Sequence, residues 1–312
     1  MYCTNTSLEV DIKEVESHVV LGYGCNHNCK HCVVQVKRSR ILQSGVAQDL
    51  SPDESVVAIK KAIENGATKI VFTGGEPTLR PDLPNLVALS LSCGCKVQIQ
   101  TNGSKTRIIE RILLENQHFK DKIEYMIPIH STDPDHNDFI CGCKGGLENA
   151  LNSIKFIASN NGNLIGKIVL TKYTNDLPSL CKIYDDNRAK YVVIAYPHCA
   201  SFPINVIREI DLECQQSKTI LKNLYQYSFN TPIILQAFPR CFIGDIPSAI
   251  IQEEQSDFLD LQIVEHKYKS ENGNLWHTYR KLDKKKMRCC VTCKYNQICE
   301  GIWKDYIRAY GD

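Results

Sequence analysis

Gly24-Cys-Asn-His-Asn-Cys-Lys-His-Cys32 places three thiols in one loop, directly after the apolar run at residues 19–21. Iron–sulfur cubanes are usually held by four cysteine thiolates. This loop supplies three of them, Cys25, Cys29 and Cys32, and the next cysteine along the chain is Cys93. The spacing therefore predicts an iron–sulfur cluster in which one iron is open to a ligand that the protein does not supply.

A second motif, Lys69-Ile-Val-Phe-Thr-Gly-Gly-Glu-Pro77, reads as a β-branched strand that ends in two glycines. Glycines expose the backbone and let a ligand approach closely. Glu76 adds an acceptor for a cation, and Pro77 stiffens the exit from the turn. The pattern predicts a binding turn directly after the strand.

Together the two motifs resemble the radical S-adenosylmethionine (SAM) superfamily. The resemblance implies that Cys25, Cys29 and Cys32 hold a [4Fe–4S] cluster whose open iron is chelated by the amino and carboxylate groups of SAM. It also implies that the turn binds the methionine amino group; the turn residues are Gly74, Gly75, Glu76 and Pro77.

Three further side chains are expected at SAM from the same resemblance. His31 occupies the position before the last cysteine, where the family usually has Phe, Tyr or Trp, and is assigned the adenine contact. Asn102 lies in a turn that is close to the cofactor in relatives. Ser131 is the candidate contact to the SAM ribose or carboxylate. Asp133 and His136 are expected to organise their loop rather than to act as acid–base catalysts.

The order of apolar runs predicts an α/β fold with a parallel sheet. Helical stretches separate six strand signals, and residues 51–64 form one such helix, with Ser51 and Glu54 as a capping box. Periodicity cannot separate an open sheet from a barrel, whereas the resemblance implies a partial (β/α)6 TIM-like barrel. The strand signals are residues 19–21, 69–72, 96–100, 123–129, 164–170 and 191–195.

We expect three parts along the chain: an N-terminal segment (1–17), the barrel (18–230) and a small C-terminal domain (231–312). The βα alternation ends at about residue 230, and a hairpin is predicted around Asn272-Gly273. In barrels of this kind the chemistry lies on loops at the carboxyl ends of the strands.

The C-terminal part carries a second metal-binding pattern, Cys290-x2-Cys293-x5-Cys299. A closed zinc site is one alternative, since such sites need four ligands. The pattern resembles the SPASM and shorter Twitch modules of radical SAM enzymes, which implies one auxiliary [4Fe–4S] cluster. Cys241 is the candidate fourth ligand, and Cys289 is the alternative.

The remaining cysteines divide by position. Cys141, Cys143 and Cys199 follow strands, so each is a candidate to donate a hydrogen atom to a substrate radical. Cys181 and Cys214 fall inside predicted helices, where a buried cysteine usually packs as a small hydrophobe.

The amino-acid composition indicates which classes of protein and which cellular compartment to expect. Sixteen of the 312 residues are cysteines, about 5 per cent and below the roughly 8–10 per cent that marks a disulfide scaffold. The net charge of +2 gives no indication of nucleic-acid binding. Because no long apolar stretch and no signal-peptide pattern occur, we expect a cytoplasmic protein without a membrane anchor.

The resemblance implies that reductive cleavage of SAM produces a 5′-deoxyadenosyl radical. An auxiliary cluster would then accept an electron, so the expected reaction is oxidative cross-linking or dehydrogenation of a peptide or protein, as in the maturation of ribosomally made peptides. An electron donor such as flavodoxin or ferredoxin is expected. Since only residues 1–17 precede the first strand, we expect a peptide substrate either to be presented by a separate peptide-recognition protein or to dock directly.

Three alternatives remain open. The enzyme could be a small-molecule radical SAM dehydrogenase, or an epimerase in which a cysteine returns the hydrogen atom. The third is a non-catalytic protein with two zinc sites, in which His27 or His31 completes the first.

Overall fold

The structure is a computed structural model that describes residues 14–45, 47–199, 202–244, 260–264 and 282–311. Strands and helices alternate through most of the chain. The strands are β1 (Val15–Gly22), β2 (Lys69–Gly74), β3 (Lys96–Gln100), β4 (Ile123–Pro128), β5 (Asn163–Val169), β6 (Tyr191–Ala195), β7 (Ile233–Gln236), β8 (Asp260–Val264), β9 (Lys284–Lys285) and β10 (Ile302–Trp303). The helices are α1 (Gln35–Ser44), α2 (Pro52–Glu64), α3 (Leu83–Ser92), α4 (Thr106–Glu115), α5 (Pro134–Cys141), α6 (Gly146–Ser159), α7 (Leu177–Asp186), α8 (Ile204–Ile210), α9 (Cys214–Leu224), α10 (Arg240–Ile243) and α11 (Lys304–Tyr310).

β1 to β8 form one parallel sheet in the order β7-β6-β5-β4-β3-β2-β1-β8. Strands that are consecutive in sequence are therefore neighbours from β1 to β7, as a βα repeat requires. This confirms the α/β fold and the partial TIM-like barrel. All carboxyl ends of these strands lie at one edge, where the loops after β1, β2, β3 and β4 meet.

Local sequence explains the individual elements. The predicted capping box of α2 is present, with Ser51 accepting from Glu54 N and the Glu54 carboxylate accepting from Ser51 N at 2.8 Å. The middle of β2 is fully buried at Ile70, Val71 and Phe72, which is typical of a parallel strand covered on both faces.

The parallel sheet continues beyond the expected limit of the βα repeat. β7 follows at residues 233–236 and pairs with β6, and β8 pairs in parallel with β1 at the opposite edge. The predicted boundary at residue 230 thus separates strands of a single sheet. The short segment at 233–236 was missed because four residues carry too little periodicity to be recognised. The hairpin predicted around Asn272-Gly273 lies outside the described residues.

The last described segment packs back onto the sheet domain. β9 and β10 form a two-stranded antiparallel ribbon, and α11 packs against α8. None of the helices in the ranges given above has the length and apolarity needed to cross a lipid bilayer.

Gly166 in β5 lets a large side chain cross the sheet face. A Cβ at this position would lie 2.6 Å from Cγ of Tyr184, which is fully buried and donates its hydroxyl to Ile127 O at 2.8 Å. Tyr184 therefore needs the space that glycine leaves.

We expect Gly166→Ala to destabilise the protein by about 1–3 kcal/mol through overpacking, measured by thermal unfolding of the reconstituted protein. Gly146→Ala is the matched control, because its added Cβ would meet neighbours only at 3.5 Å or more. Equal unfolding temperatures for the two variants would contradict the packing argument.

Candidate active site

The three-cysteine loop lies between β1 and α1, and hydrogen bonds fix its course. Cys32 N donates to Cys29 O at 3.2 Å, and His27 N donates to the Cys25 sulfur at 3.4 Å. Arg38 on α1 donates to His27 O at 3.0 Å and to Cys25 O at 3.1 Å. One arginine thus holds the backbone on which the first thiol sits.

The electrostatics of the loop fit a cationic metal cluster. Burial, together with smaller contributions from Glu76, Cys29 and Cys32, raises the pKa of the Cys25 thiol to about 11. The pKa values of Cys29 and Cys32 are raised as well, by Cys141 and burial for Cys29 and by burial for Cys32. Three mutually repelling thiolates beside a carboxylate need a positive partner, which iron supplies.

The glycine turn after β2 packs directly against this loop. Gly75 N donates to Gly22 O at 2.9 Å, and Glu76 N donates to Gly24 O at 2.7 Å. A Cβ on Gly75 would lie 2.0 Å from Gly24 O, and one on Gly74, which has φ +123°, would lie 2.2 Å from Gly22 O. Only glycines permit this approach.

Glu76 is buried, and its carboxylate joins two neighbouring turns. One oxygen accepts from Thr78 N at 2.9 Å and from the hydroxyls of Thr78 and Thr101, at 2.5 and 2.6 Å. The other accepts from Asn102 N at 2.6 Å. Glu76 therefore fixes the predicted Asn102 turn after β3 next to the glycine turn.

Asn102 also reaches the cysteine loop. Its amide donates to the Asn26 side chain at 2.9 Å, and Asn26 donates to Ser104 at 2.8 Å. The loops after β1, β2 and β3 thus form one connected polar surface around the three thiols.

A sequence model of the Radical SAM superfamily matches residues 19–177, just over half of the chain and the segment that contains all of these groups. The chain belongs to the radical SAM superfamily. Members of this superfamily are enzymes that use a [4Fe–4S] cluster and SAM, and the converging thiols described above fit such a cluster.

Several curated radical SAM relatives match part of the chain. It is 25% identical over 195 residues to Fe-coproporphyrin III synthase of Methanosarcina barkeri, covering 62% of this chain and 46% of that protein. It is 26% identical over 156 residues to the sporulation killing factor maturation protein SkfB of Bacillus subtilis, covering 50% of this chain and 36% of SkfB. The matches thus span less than half the length of these relatives.

Solved radical SAM structures share the fold over nearly the whole chain. SuiB of Streptococcus suis bound to S-adenosylmethionine gives a TM-score of 0.62 at 14% identity, covering 95% of this chain and 74% of SuiB. The structure of anSMEcpe with bound AdoMet gives a TM-score of 0.60 at 16% identity, covering 95% and 92%. At such identities the likeness concerns the fold alone.

His31 lies beside a second imidazole. Its ring centroid is 4.4 Å from that of His130, in an edge-to-face arrangement. Burial lowers the pKa of His31 to about 4, and that of His130 lies well below its usual range for the same reason. Both rings are therefore neutral at physiological pH, so His31 can present an uncharged aromatic ring. Its contact with adenine stays a prediction.

The turn after β4 is built by the side chains of Ser131 and Asp133. Ser131 is fully buried, and its hydroxyl accepts from Asp133 N at 3.1 Å. Asp133 caps α5 by accepting from His136 N at 2.7 Å, which agrees with the loop-organising role expected for Asp133. A contact between Ser131 and SAM stays a prediction.

The three candidate hydrogen donors have different surroundings. The sulfur of Cys141, at the end of α5, lies within 4.8 Å of the Cys29 sulfur. Cys143 is half-buried, and burial raises the pKa of its thiol, with further contributions from Asp138 and Cys29. Cys199 is buried and its thiol donates to Asp211 at 3.3 Å. Cys199 thus packs beneath α8 and α11 rather than beside the cluster loop.

A second group of thiols forms around α10. A hydrogen bond with Cys214, followed by burial, raises the pKa of the Cys241 thiol, and Cys299 and Cys290 raise it further. The Cys214 thiol also donates to Cys241 O at 3.1 Å. Cys289, by contrast, is exposed. Cys289 nevertheless forms a hydrogen bond with Cys290, so both candidate fourth ligands adjoin this group, and the choice between them stays a prediction.

Backbone amides also point at this second group. Arg240 N and Gly301 N each donate to the Cys299 sulfur at 3.4 Å, and Tyr295 N donates to the Cys293 sulfur at 3.5 Å. Amide donors of this kind stabilise sulfur that carries negative charge. The arrangement is suited to thiolates that bind a metal.

Sequence reasoning missed three residues that matter for these sites. Cys214 was interpreted as a packing residue, but it is the first residue of α9 and contacts Cys241. Asp49 accepts from Gly24 N at 3.0 Å, and Arg38 holds the cysteine loop as described. No motif marks the three, because each acts on a segment that is distant in sequence.

We expect Gly75→Ala to weaken SAM binding about 5- to 150-fold, since overpacking costs about 1–3 kcal/mol. Equilibrium binding of SAM to the anaerobically reconstituted protein measures this. Gly94→Asn is the control, because Gly94 has open space around its Cβ position and asparagine tolerates its φ of +87°. Unchanged SAM affinity in Gly75→Ala would show that the close approach is not needed.

Proposed function

We propose that the protein is a radical SAM maturase that oxidatively cross-links or dehydrogenates a residue of a peptide or protein. The observation that carries this proposal is the presence of two separate thiol groups on one fold. One is the loop of Cys25, Cys29 and Cys32; the other surrounds Cys241. A second cluster gives the substrate radical an electron acceptor, which oxidation requires.

At the first group, the chain holds the cofactor with the residues already described. Cys25, Cys29 and Cys32 would bind the cluster, and Gly74, Gly75, Glu76 and Pro77 would receive the methionine part of SAM, with Asn102, Ser131 and His31 as further contacts. When bound, the cluster supplies the electron that cleaves SAM to a 5′-deoxyadenosyl radical. The His31 and His130 rings on this side of the fold are neutral and therefore add no positive charge beside the cluster loop.

At the second group, we propose one auxiliary [4Fe–4S] cluster held by Cys290, Cys293, Cys299 and Cys241, in a segment (231–312) that also completes the sheet. The amide donors to Cys299 and Cys293 support this assignment. Cys214 lies close enough to Cys241 to replace it as a ligand.

Relatives support a peptide substrate. SkfB is named as the maturation protein of the sporulation killing factor, SuiB is seen with the precursor peptide SuiA, and anSMEcpe is seen with the Cp18Cys peptide. The proposal includes an electron donor such as flavodoxin or ferredoxin, a separate peptide-recognition protein and a cytoplasmic setting. Other relatives, such as heme synthases and nucleotide dehydratases, act on small molecules, so a small-molecule dehydrogenase is the second candidate.

Iron counting tests the two-cluster proposal. Wild type should carry about eight irons and the Cys25→Ala/Cys29→Ala/Cys32→Ala variant about four, because each cubane holds four. Reductive SAM cleavage should be lost in that variant. Cys241→Ala should lower the iron content or change the electron paramagnetic resonance spectrum, while Cys289→Ala, the exposed neighbour, should change neither. About four irons in wild type would contradict the proposed auxiliary cluster, and bound zinc without iron would contradict the proposed enzyme function.

Isotope transfer tests the reaction. With deuterated peptides as substrates, we expect deuterium in 5′-deoxyadenosine and a peptide product that has lost two hydrogen atoms. Transfer from deuterated aminocyclitols instead would favour the small-molecule dehydrogenase. A peptide that loses no hydrogen atoms but exchanges one for solvent deuterium would indicate epimerisation, and Cys143→Ala should then abolish the uptake, because Cys143 is the least buried of the three candidate donors.

A further inference from the structure

The end of α5 is fastened to the cysteine loop. Asn28 N donates to Cys141 O at 2.9 Å, and Lys30 N donates to Ile140 O at 3.0 Å. The helix ends at Gly142, with φ +59°, where a Cβ would lie 2.7 Å from Asn28 O. Cys29, between the two bonded residues, is thereby held against the last turn of α5.

This contact brings three ligand atoms together. A ring nitrogen of His27 and the sulfurs of Cys29 and Cys141 all lie within 4.8 Å of one another, which no other group of metal-ligating side chains does in the described ranges. Ligands of one tetrahedral zinc stand about 3–4 Å apart, given bond lengths of roughly 2.0–2.3 Å. Each cysteine ligand of a cubane binds a different iron, whereas these three atoms, within 4.8 Å of one another, are close enough to reach one ion after a small inward movement of the side chains.

An independent observation points to a ligand here. His27 is 95% buried, with 5% of its surface exposed, and its Nε2 has no hydrogen-bond partner among the described residues. A buried nitrogen without a partner costs about 1–3 kcal/mol. Arg38 and the Cys25 sulfur both bond the His27 backbone, which fixes the main-chain position from which the ring extends.

The Asn137 side chain supports the Cys141 sulfur, as a neighbouring donor often supports a metal ligand. The Asn137 amide donates to its sulfur at 3.5 Å, and the Asn137 oxygen accepts from His130 N at 3.1 Å. This second bond fixes which end of the amide faces Cys141. A donor aimed at a thiolate is the usual support for a metal-bound sulfur.

We propose that the cluster-free protein binds one zinc-class divalent ion through His27, Cys29 and Cys141. Two thiolates and an imidazole suit Zn²⁺, with a fourth position left for water. Because Cys29 also belongs to the predicted cluster loop, the single ion and the cluster exclude each other. The ion would keep the loop attached to α5 and shield Cys29 until iron and sulfide arrive.

Cobalt is the probe, since tetrahedral Co²⁺ with thiolate ligands has a characteristic absorption. Full-length protein is stripped of iron under anaerobic conditions and titrated with Co²⁺, and each variant is also reconstituted to count iron. Cys141→Ala and His27→Ala should each abolish the binding of one equivalent of Co²⁺ or weaken that binding about 100-fold or more. A loss of this size exceeds the effect of removing a residue that only supports a metal ligand. Both variants should still assemble the cluster, which also shows that they fold.

Cys32→Ala is the matched control. It should retain that equivalent of Co²⁺ within about threefold, although it fails to assemble the first cluster. In wild type, prior addition of Zn²⁺ should slow cluster assembly, and Cys141→Ala should remove this inhibition. The proposal is overturned if the equivalent depends on Cys32 rather than Cys141, or if wild type binds no cobalt that either substitution removes. Neither result depends on SAM cleavage, so these measurements test the metal site separately from the proposed function.

Discussion

The close approach of two backbones, at the ends of β1 and β2, is the constraint on which the rest of the site depends. The register pairs Gly22 with Gly74, so the cysteine loop and the binding turn leave the sheet side by side. Gly75 N and Glu76 N then bond Gly22 O and Gly24 O, which is possible only where no Cβ intervenes. The site that would hold the cluster and the site that would hold SAM are therefore set by the same two hydrogen bonds.

Further contacts connect these two segments to the loops after β3 and β4. Glu76 carries the contact from β2 to the Asn102 turn after β3, and the end of α5 returns from β4 to the cysteine loop. The first step joins loops of neighbouring strands, whereas the second spans the sheet from the loop after β4 to the loop after β1, so the shared carboxyl edge of the parallel strands is what makes the site continuous. Polar groups in these turns are nearly all satisfied by one another. The unpartnered ring nitrogens of His27, His31 and His130 are therefore conspicuous, and all three lie beside the thiols.

The parallel sheet and the capping box of α2 could be predicted from the sequence, and both cysteine motifs could be recognised in it. Each strand, cap or motif is marked by residue spacing within one short segment. How distant segments meet could not be predicted in this way. Asp49 and Arg38 bond backbone atoms of the cysteine loop, and the Cys141 sulfur lies beside that of Cys29, and none of these contacts is marked by a local sequence pattern. Cys214 illustrates the limit most clearly. Helical periodicity placed it correctly in α9 and suggested packing, whereas tertiary structure puts its thiol against Cys241.

Strands from both sides of the predicted domain boundary at residue 230 belong to one sheet. β7 lies at one edge of the sheet and β8 at the other, next to β1, and both belong to the part after residue 230. Separating that part would leave β6 and β1, each paired on one side only, as the edge strands of the sheet in place of β7 and β8. The second thiol group is thus tied, through continuous hydrogen-bonded strands, to the strand that carries the first. If electrons pass between two clusters in this protein, the shared sheet fixes where the cysteine loop leaves β1 and where Cys241 follows β7.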